Sequence, residues 1–397
     1  MSEFGSTSGR SGTEESQRSC DVTIVGGGLI GLGIAWKLAQ RGAGVCVLDR
    51  TPLGGASWVG AGMLAPVTEV HFGEVPLLRL NLRSAELYPQ FVAELEASTG
   101  RDVDFRPGGI LLVAKDQDDR AALDELCRYQ QQLGLDARSV SPSECREIEP
   151  LLAPGIRGGV FAGGDCQVDT RKLGEALLDA ATKAGARLVH ESVSKIQIGH
   201  GDRVEGVVTD SGRSIVAPVV VLAAGCWSPL VEGLPPNLVP PVRPVKGQLA
   251  ILRQSEFAPS LRVTVRAQVH GRNVYLVKRS DGRLVLGGTV EEMGYDTRVT
   301  AGALLDLLRD AYEVVPTIVE YEILETLAGL RPGTPDNAPV LGKTPVDGLI
   351  YATGHFRNGI LLTPITAYSI ADLVTTGETP SDIEPFSINR FLGMPAA

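Results

Sequence analysis

The chain is poor in the residues that hold metals. Its 397 residues include five histidines and six cysteines. Cys20, Cys46, Cys127, Cys145, Cys166 and Cys226 form no C-x-x-C pair, and none has a histidine at ligand spacing. No metal site is therefore expected, and the cysteines read as free thiols of a reducing cytoplasm. Long apolar runs are also missing: the longest strongly apolar stretch, Val219 to Ala224, is far short of the roughly 18 to 20 residues of a membrane-spanning helix. There is no lysine and arginine run, and 37 basic against 47 acidic residues leave a net charge of -10. Nucleic acid and anionic membrane surfaces are thereby excluded as expected partners. The first twenty residues are rich in Ser, Gly, Thr and Glu and lack the apolar run of a secretory signal. Residues 1–20 read as a disordered lead-in to a cytoplasmic protein.

What the chain has in excess is structural punctuation. Its 47 glycines and 25 prolines exceed the average usage of about 7% and 5% without approaching a low-complexity composition. With 43% apolar and 21% charged residues the chain can bury a large core, and its length points to two domains. No repeat occurs at solenoid spacing.

The glycines first cluster after a short β-branched run, Asp21 to Val25, which reads as a buried parallel strand. Gly26, Gly28 and Gly31 fit G-x-G-x-x-G, and Leu29 to Arg41 has the apolar spacing of a helix that ends at Gly42. A second strand, Val45 to Leu48, leads into Asp49, 21 positions after Gly28. Strand, glycine turn, helix and acid in this order form a dinucleotide site. The glycines let backbone approach a pyrophosphate at the helix N-terminus, and Asp49 is placed to accept hydrogen bonds from ribose hydroxyls. FAD and NAD satisfy this pattern equally. A further stretch, Gly54 to Leu64, is too long for a turn and too poor in charge for a solvated loop. Ala56, Ser57, Ala61, Gly62 and Met63 are small or flexible enough to lie against a ligand.

The middle of the chain returns to the same domain, with a helix over Lys172 to Gly185, a strand RLVHESV, and a buried strand from Ile215 to Gly225. Leu87 to Gly134 reads as mostly helical, interrupted by a strand at GGILLVA. Lys246 to Val290 alternates in β style through GQLAIL, RVTVRAQVH, NVYLVKR and RLVLGGTV, with an Asp281-Gly282 turn, and so reads as an antiparallel sheet. A helix over Ala301 to Val314 follows. The expected fold is α/β, a Rossmann-like dinucleotide domain interwoven with an α+β domain on an antiparallel sheet. The expected segments are 21–85, 150–240 and 329–392 for the first domain and 86–149 and 241–328 for the second.

Near the C-terminus, Arg331 stands in an apolar, turn-forming run, AGLRPGTPDNAPVLG. Such an arginine is either a surface residue or a fixed cation awaiting an anion, and a carboxylate matches its planar fork. The strand Leu349 to Thr353 is followed by His355, Phe356, Arg357, Asn358, Gly359, Ile360 and Leu361. A helix then opens, with Thr363 in N-cap position, Pro364 at the first helical position and Gly377 after the last turn. Its N-terminus points back toward the loop at Arg357, where it favours negative charge on a bound ring. His355 reads as a satisfied loop histidine. Arg357 reads equally as a structural ion pair and as a substrate contact.

VGGGLIGLGIAWKLA with Asp49, GASWVGAGML, VVVLAAGCWS, AGLRPGTPDNAPVLG and GHFRNGILLTP together resemble the D-amino-acid oxidase superfamily of flavoproteins, in particular its glycine oxidases of the thiamine-biosynthesis type, over residues 21 to 392. The resemblance implies a glutathione-reductase type FAD domain. It implies noncovalent FAD held by Leu29, Ile30, Asp49, Arg50, Ala56, Ser57, Ala61, Gly62 and Met63, with Val193 near the adenine and His355 through Leu361 around the flavin. It also implies that Arg331 clamps a substrate carboxylate with support from the Tyr275 hydroxyl; without it, Tyr275 is a cross-strand aromatic of the sheet. Lys246, in RPVKGQ, either assists oxygen or orients the flavin, or is a plain surface lysine.

The activity implied is oxidative deamination of glycine or N-substituted glycines, an amino acid class of substrate, by hydride transfer to flavin N5 without a catalytic base. Glyoxylate, ammonia or a free amine, and hydrogen peroxide from dioxygen are the implied products. Val290 is a modest residue in the expected pocket wall, which leaves open a larger N-carboxymethyl amino acid as substrate. A D-amino-acid dehydrogenase with another electron acceptor and a noncatalytic flavoprotein are the competing classes. A homo-oligomer is expected.

Overall fold

The computed structural model of the chain describes residues 19–254 and 259–392; residues 1–18 of the expected lead-in lie outside it. Ser19 and Cys20 already belong to the fold. Ser19 bridges to Val216, and the Cys20 N–H donates to the Val216 carbonyl (3.2 Å). Cys20 is disulfide-bonded to Cys46, which corrects the expectation of six free thiols; Cys127, Cys145, Cys166 and Cys226 are free. Spacing gave no hint of the bond, because Cys20 meets Cys46 only through the sheet: Val22 is paired with Val45 on the neighbouring strand. The Arg187 guanidinium lies against both sulfurs, 2.8 Å from Cys46 Sγ and 3.2 Å from Cys20 Sγ. Cysteine usage thus no longer argues for a reducing compartment.

Two large sheets organise the chain. The first has six strands in the order Val340–Lys343, Leu349–Thr353, Val219–Leu222, Val22–Val25, Val45–Leu48, Arg187–Val189. All neighbours are parallel except the first pair. Every residue of Val22–Val25 and Val45–Leu48 is buried, as strands covered on both faces require. The helix Leu29–Gln40 is apolar nearly all round because it packs against the helices Thr170–Lys183 and Thr363–Thr376. Even Lys37 on this helix is buried: its ammonium lies 3.5 Å from the Trp36 ring centroid and 2.5 Å from Glu94 Oε2, and burial lowers its pKa.

The second sheet has eight strands, in the order Glu322–Gly333, Arg243–Arg253, Arg283–Gly287, Arg272–Lys278, Thr264–Val269, Ile110–Ala114, Gly159–Ala162, Arg138–Val140. The four strands read as antiparallel pair that way, but Thr264–Val269 continues in parallel with Ile110–Ala114, so the whole sheet is mixed. Strand Gly159–Ala162 joins this sheet although it falls in the expected segment 150–240 of the first domain. The chain crosses between sheets later than its composition signalled, near Cys166–Gln167, a strand of a separate small sheet.

Local differences have local causes. The long helix starts at Val75, twelve residues before the expected Leu87, with Pro in its first turn, and ends at Gly100 in left-handed conformation. Ile215 to Gly225 splits at Ala217 and Pro218 into Ser214–Val216 and Val219–Leu222, which join different sheets. The last helix is capped by Leu362 without a side-chain bond; Thr363 is inside it and donates to the Gly359 carbonyl (2.9 Å). Among the described residues no helix is long and apolar enough to cross a membrane.

Titration of thiols in denaturant checks the disulfide. Four thiols per chain should react before reduction and six after it, whereas six before reduction would contradict the Cys20–Cys46 bond.

Candidate active site

A cavity of about 760 Å³ opens where the C-terminal ends of the parallel strands face the eight-stranded sheet, the place where doubly wound sheets bind ligands. Its nucleotide end is made of backbone. Gly26, Gly28, Leu29 and Ile30 line it from the first turn, and Ala56, Ser57, Ala61, Gly62 and Met63 from the second glycine-rich stretch. The N-terminus of helix Leu29–Gln40 has no capping side chain of its own and no acid in its first turn; the Leu29 N–H donates to Ser57 Oγ at 3.1 Å. An uncapped, uncharged helix start at a cavity suits a pyrophosphate. Gly31 does not line the cavity. A Cβ there would stand 1.9 Å from the Gly26 carbonyl oxygen, so this glycine seats the helix on the strand.

Asp49 lines the cavity and braces the glycine turn, accepting from the Gly27 N–H at 2.7 Å and the Thr51 N–H at 2.8 Å. Arg50, paired with Asp210, and Val193 line the same end. Gly62 sits at φ 77°, where a Cβ would meet the Val168 carbonyl. The buried Arg279 locks this turn by donating to the carbonyls of Val168 (2.8 Å) and Ala61 (2.7 Å).

At the other end, His355, Phe356, Arg357, Gly359 and Ile360 line the cavity, whereas Asn358 and Leu361 turn away into buried surroundings. The long helix fixes this loop: Ser84 Oγ donates to the Leu361 carbonyl (2.5 Å) and the Tyr88 hydroxyl to that of Ile360 (3.1 Å). His355 Nε2 is 3.1 Å from Thr366 Oγ1, and burial pushes its pKa down to about 3, so it is neutral near pH 7. Arg357 forms the structural ion pair that one of its two readings foresaw. It lines the cavity and is paired with Glu74 Oε2 at 3.2 Å.

The eight-stranded sheet supplies Arg331 and Tyr275. The Arg331 Nη1 donates to the Thr289 carbonyl (3.0 Å). Room for the guanidinium exists because residue 247 is glycine; a Cβ there would lie 2.2 Å from Nη1. Tyr275 lies beside it, its pKa pushed up by burial against the opposing pull of Arg331. Tyr275 thus remains a neutral donor. Lys246 is not a surface lysine. It is completely buried, does not line the cavity, and among the described residues has Asp296 Oδ2, at 3.6 Å, as its one counter-charge.

Arg266 and Glu69 were missed from the sequence, yet both line the cavity. Arg266 is the cross-strand partner of Tyr275. An arginine in the middle of the alternating segment RVTVRAQVH was the available signal. Glu69 carried none, since its role depends on a chain segment folded over the sheet.

The chain matches the model of the FAD-dependent oxidoreductase family over residues 21–373. It belongs to that family. It is 36% identical to the glycine oxidase of Geobacillus kaustophilus over 94% of this chain and 97% of that protein. The crystal structure of that oxidase superposes with a TM-score of 0.86, covering 94% of this chain and 99% of the other. The bifunctional protein ThiO/ThiG of Synechocystis is 38% identical over 95% of this chain, which spans only 55% of it. The iminodiacetate oxidase structure from Chelativorans matches with a TM-score of 0.83 at 28% identity, over 92% and 98% of the chains. FAD is therefore the cofactor of this chain, and the uncapped helix start, the Asp49 brace and the glycine cradle fit it.

His355 supplies a pH test. Its lowered pKa means that its contribution to stability is present above pH 6.5 and is lost as pH falls toward 3. In urea titrations the wild type should lose stability below pH 6 with up to about 1.4 kcal/mol per pH unit more slope than His355→Gln. Parallel acid limbs would contradict a neutral, buried His355.

Proposed function

We propose that the chain oxidises glycine and N-substituted glycines, releasing glyoxylate and ammonia or an amine, with dioxygen reduced to hydrogen peroxide. The observation that carries this reading is the charge state of Arg331. Four arginines line the cavity, Arg50, Arg266, Arg331 and Arg357. Three have a carboxylate within ion-pair distance, Asp210, Glu69 and Glu74 respectively. Among the described residues Arg331 has none and is bonded to a carbonyl oxygen. A half-buried cation without a counter-ion calls for an anion, and the adjacent Tyr275 hydroxyl offers that anion a second donor.

Held by its carboxylate, an α-amino acid has its amine and Cα directed into the cavity between the two sheets. Bound FAD supplies the hydride acceptor and the route of electrons to dioxygen. The protein's own contribution in this reading is orientation: the lining carboxylates Asp49 and Glu69 are engaged by backbone N–H groups and by Arg266, and His355 stays neutral and bonded to Thr366. FAD is held noncovalently in this reading. Cys226 lines the cavity, but burial pushes its thiol up to about 12, which leaves no thiolate to attack the ring. Val290 favours substrates larger than glycine as well, because it lines the cavity and is 69% exposed, leaving room for an N-substituent.

Peroxide release should be measured with glycine, sarcosine, N-ethylglycine and D-alanine; no peroxide or flavin bleaching with any of them would overturn the oxidase reading. Arg331→Ala should lower kcat/KM about 30- to 1,000-fold, mostly through KM, because a charge-assisted pair is worth about 2 to 4 kcal/mol. Gly247→Ala should act in the same direction by displacing the guanidinium. Loss of FAD from either variant would contradict the role given to Arg331. FAD should appear in the supernatant when the protein is precipitated with acid.

A further inference from the structure

The arginines near Arg331 carry information about charge that goes beyond the substrate carboxylate. Arg266 and Arg357 line the same end of the cavity, yet both are already neutralised, and by one short segment. Glu69 Oε1 lies 3.5 Å from Arg266 Nη2, while Arg266 Nη1 donates to the Thr68 carbonyl at 2.6 Å. Glu74 Oε2 lies 3.2 Å from Arg357 Nη2, while its Oε1 accepts from Asn337 Nδ2 at 2.8 Å. The four side chains are between 16% and 24% exposed, so these pairs are far less screened than surface pairs.

The segment that bears both carboxylates is strapped down from behind. The buried Asp165 accepts from the Val67 N–H (3.1 Å), the Thr68 N–H (2.9 Å) and Thr68 Oγ1 (2.7 Å), and Gln130 Nε2 donates to the Val67 carbonyl (2.9 Å). The backbone that carries Glu69 is thereby held in place beside Arg266. At a pH near 8, where His71 is neutral because burial and the nearby Arg357 hold its pKa below the usual imidazole range, this end of the cavity carries Arg331, two neutralised arginines and no other lining charge. One positive charge remains.

We propose that Glu69 and Glu74 set the charge class of the substrate: the site takes glycines whose N-substituent is uncharged and rejects those that carry a second carboxylate. The inference rests on the glycine oxidation proposed above and narrows it. One carboxylate neutralises Arg331. A second, on the N-substituent, meets Arg266 and Arg357 already occupied, with the cavity-lining Glu69 as a like charge beside it and Glu74 behind Arg357, an arrangement that rejects a ligand strongly. With either carboxylate removed, the freed guanidinium becomes a ready-made partner for that second group.

The test compares sarcosine with iminodiacetate at pH 8 on the FAD-loaded protein and on Glu69→Gln and Glu74→Gln. The wild type should favour sarcosine in kcat/KM by about 100-fold or more, and each variant should shift the ratio toward iminodiacetate by about 10-fold. Comparable efficiency on both amines in the wild type would overturn the proposal. So would variants that lose activity equally on both substrates, the signature of a purely structural role. Calorimetric titration with methoxyacetate and diglycolate, ethers that replace the two amines, separates this idea from the oxidase reading. If no amine turns over, tighter binding of methoxyacetate in the wild type, with the gap closing in the variants, still supports the charge filter. Equal affinities, an unchanged gap, or no binding of either ether sinks it.

Discussion

A single guanidinium that has no counter-ion among the described residues organises the far half of this molecule. Arg331 is half-buried, and a charge withdrawn from water needs partners in fixed positions. Its partner in the fold is the carbonyl of Thr289, and that carbonyl is held by a chain of contacts to the strand Arg243–Arg253. The Gln248 N–H donates to Thr289 Oγ1 at 2.8 Å, Gln248 Nε2 to Glu291 Oε1 at 2.8 Å, and Lys246 and Glu291 exchange backbone bonds of 2.9 Å. The buried Lys246 and its neighbour Asp296 anchor the same loop one step further on. Lys246 is therefore best understood as part of the support of Arg331.

The nucleotide half obeys a different constraint, that backbone come close to backbone. Gly31 against Gly26, Gly26 against Ala223 and Gly62 against Val168 are contacts that a Cβ would fill. They set the helix Leu29–Gln40, the strand end at Val25 and the turn before Met63 around one space. The long helix Val75–Thr99 then holds the loop His355 to Leu361 in place through Ser84 and Tyr88. The two halves meet in one cavity because the parallel strands end where the mixed sheet turns its face toward them.

The legibility of the site divided along the same line. Gly26, Gly28, Asp49, Ala56, Ser57, Gly62 and the loop from His355 were readable because their signals are local, a glycine or an acid at fixed distance from a strand and a helix. Arg331 was readable because a cation in an apolar, turn-rich run is anomalous in itself. Glu69 and Arg266 were not, since each looks ordinary in its own segment and gains meaning only when the strap over Asp165 lays one beside the other. Lys246 looked like a surface lysine for the same reason. Its burial comes from the loop that carries Asp296, fifty positions away.

By itself the sequence determined the fold class and the dinucleotide half and singled out Arg331 as an anomalous cation, because hydrophobic periodicity, glycine placement and a lone charge are local physical requirements. Tertiary structure decided the rest. The Cys20–Cys46 bond, the membership of Gly159–Ala162 in the mixed sheet, and the neutralisation of Arg266 and Arg357 by Glu69 and Glu74 all join residues far apart in the chain. Their energies depend on distances of a few ångströms that only the packed molecule sets, and no spacing along the chain encodes them.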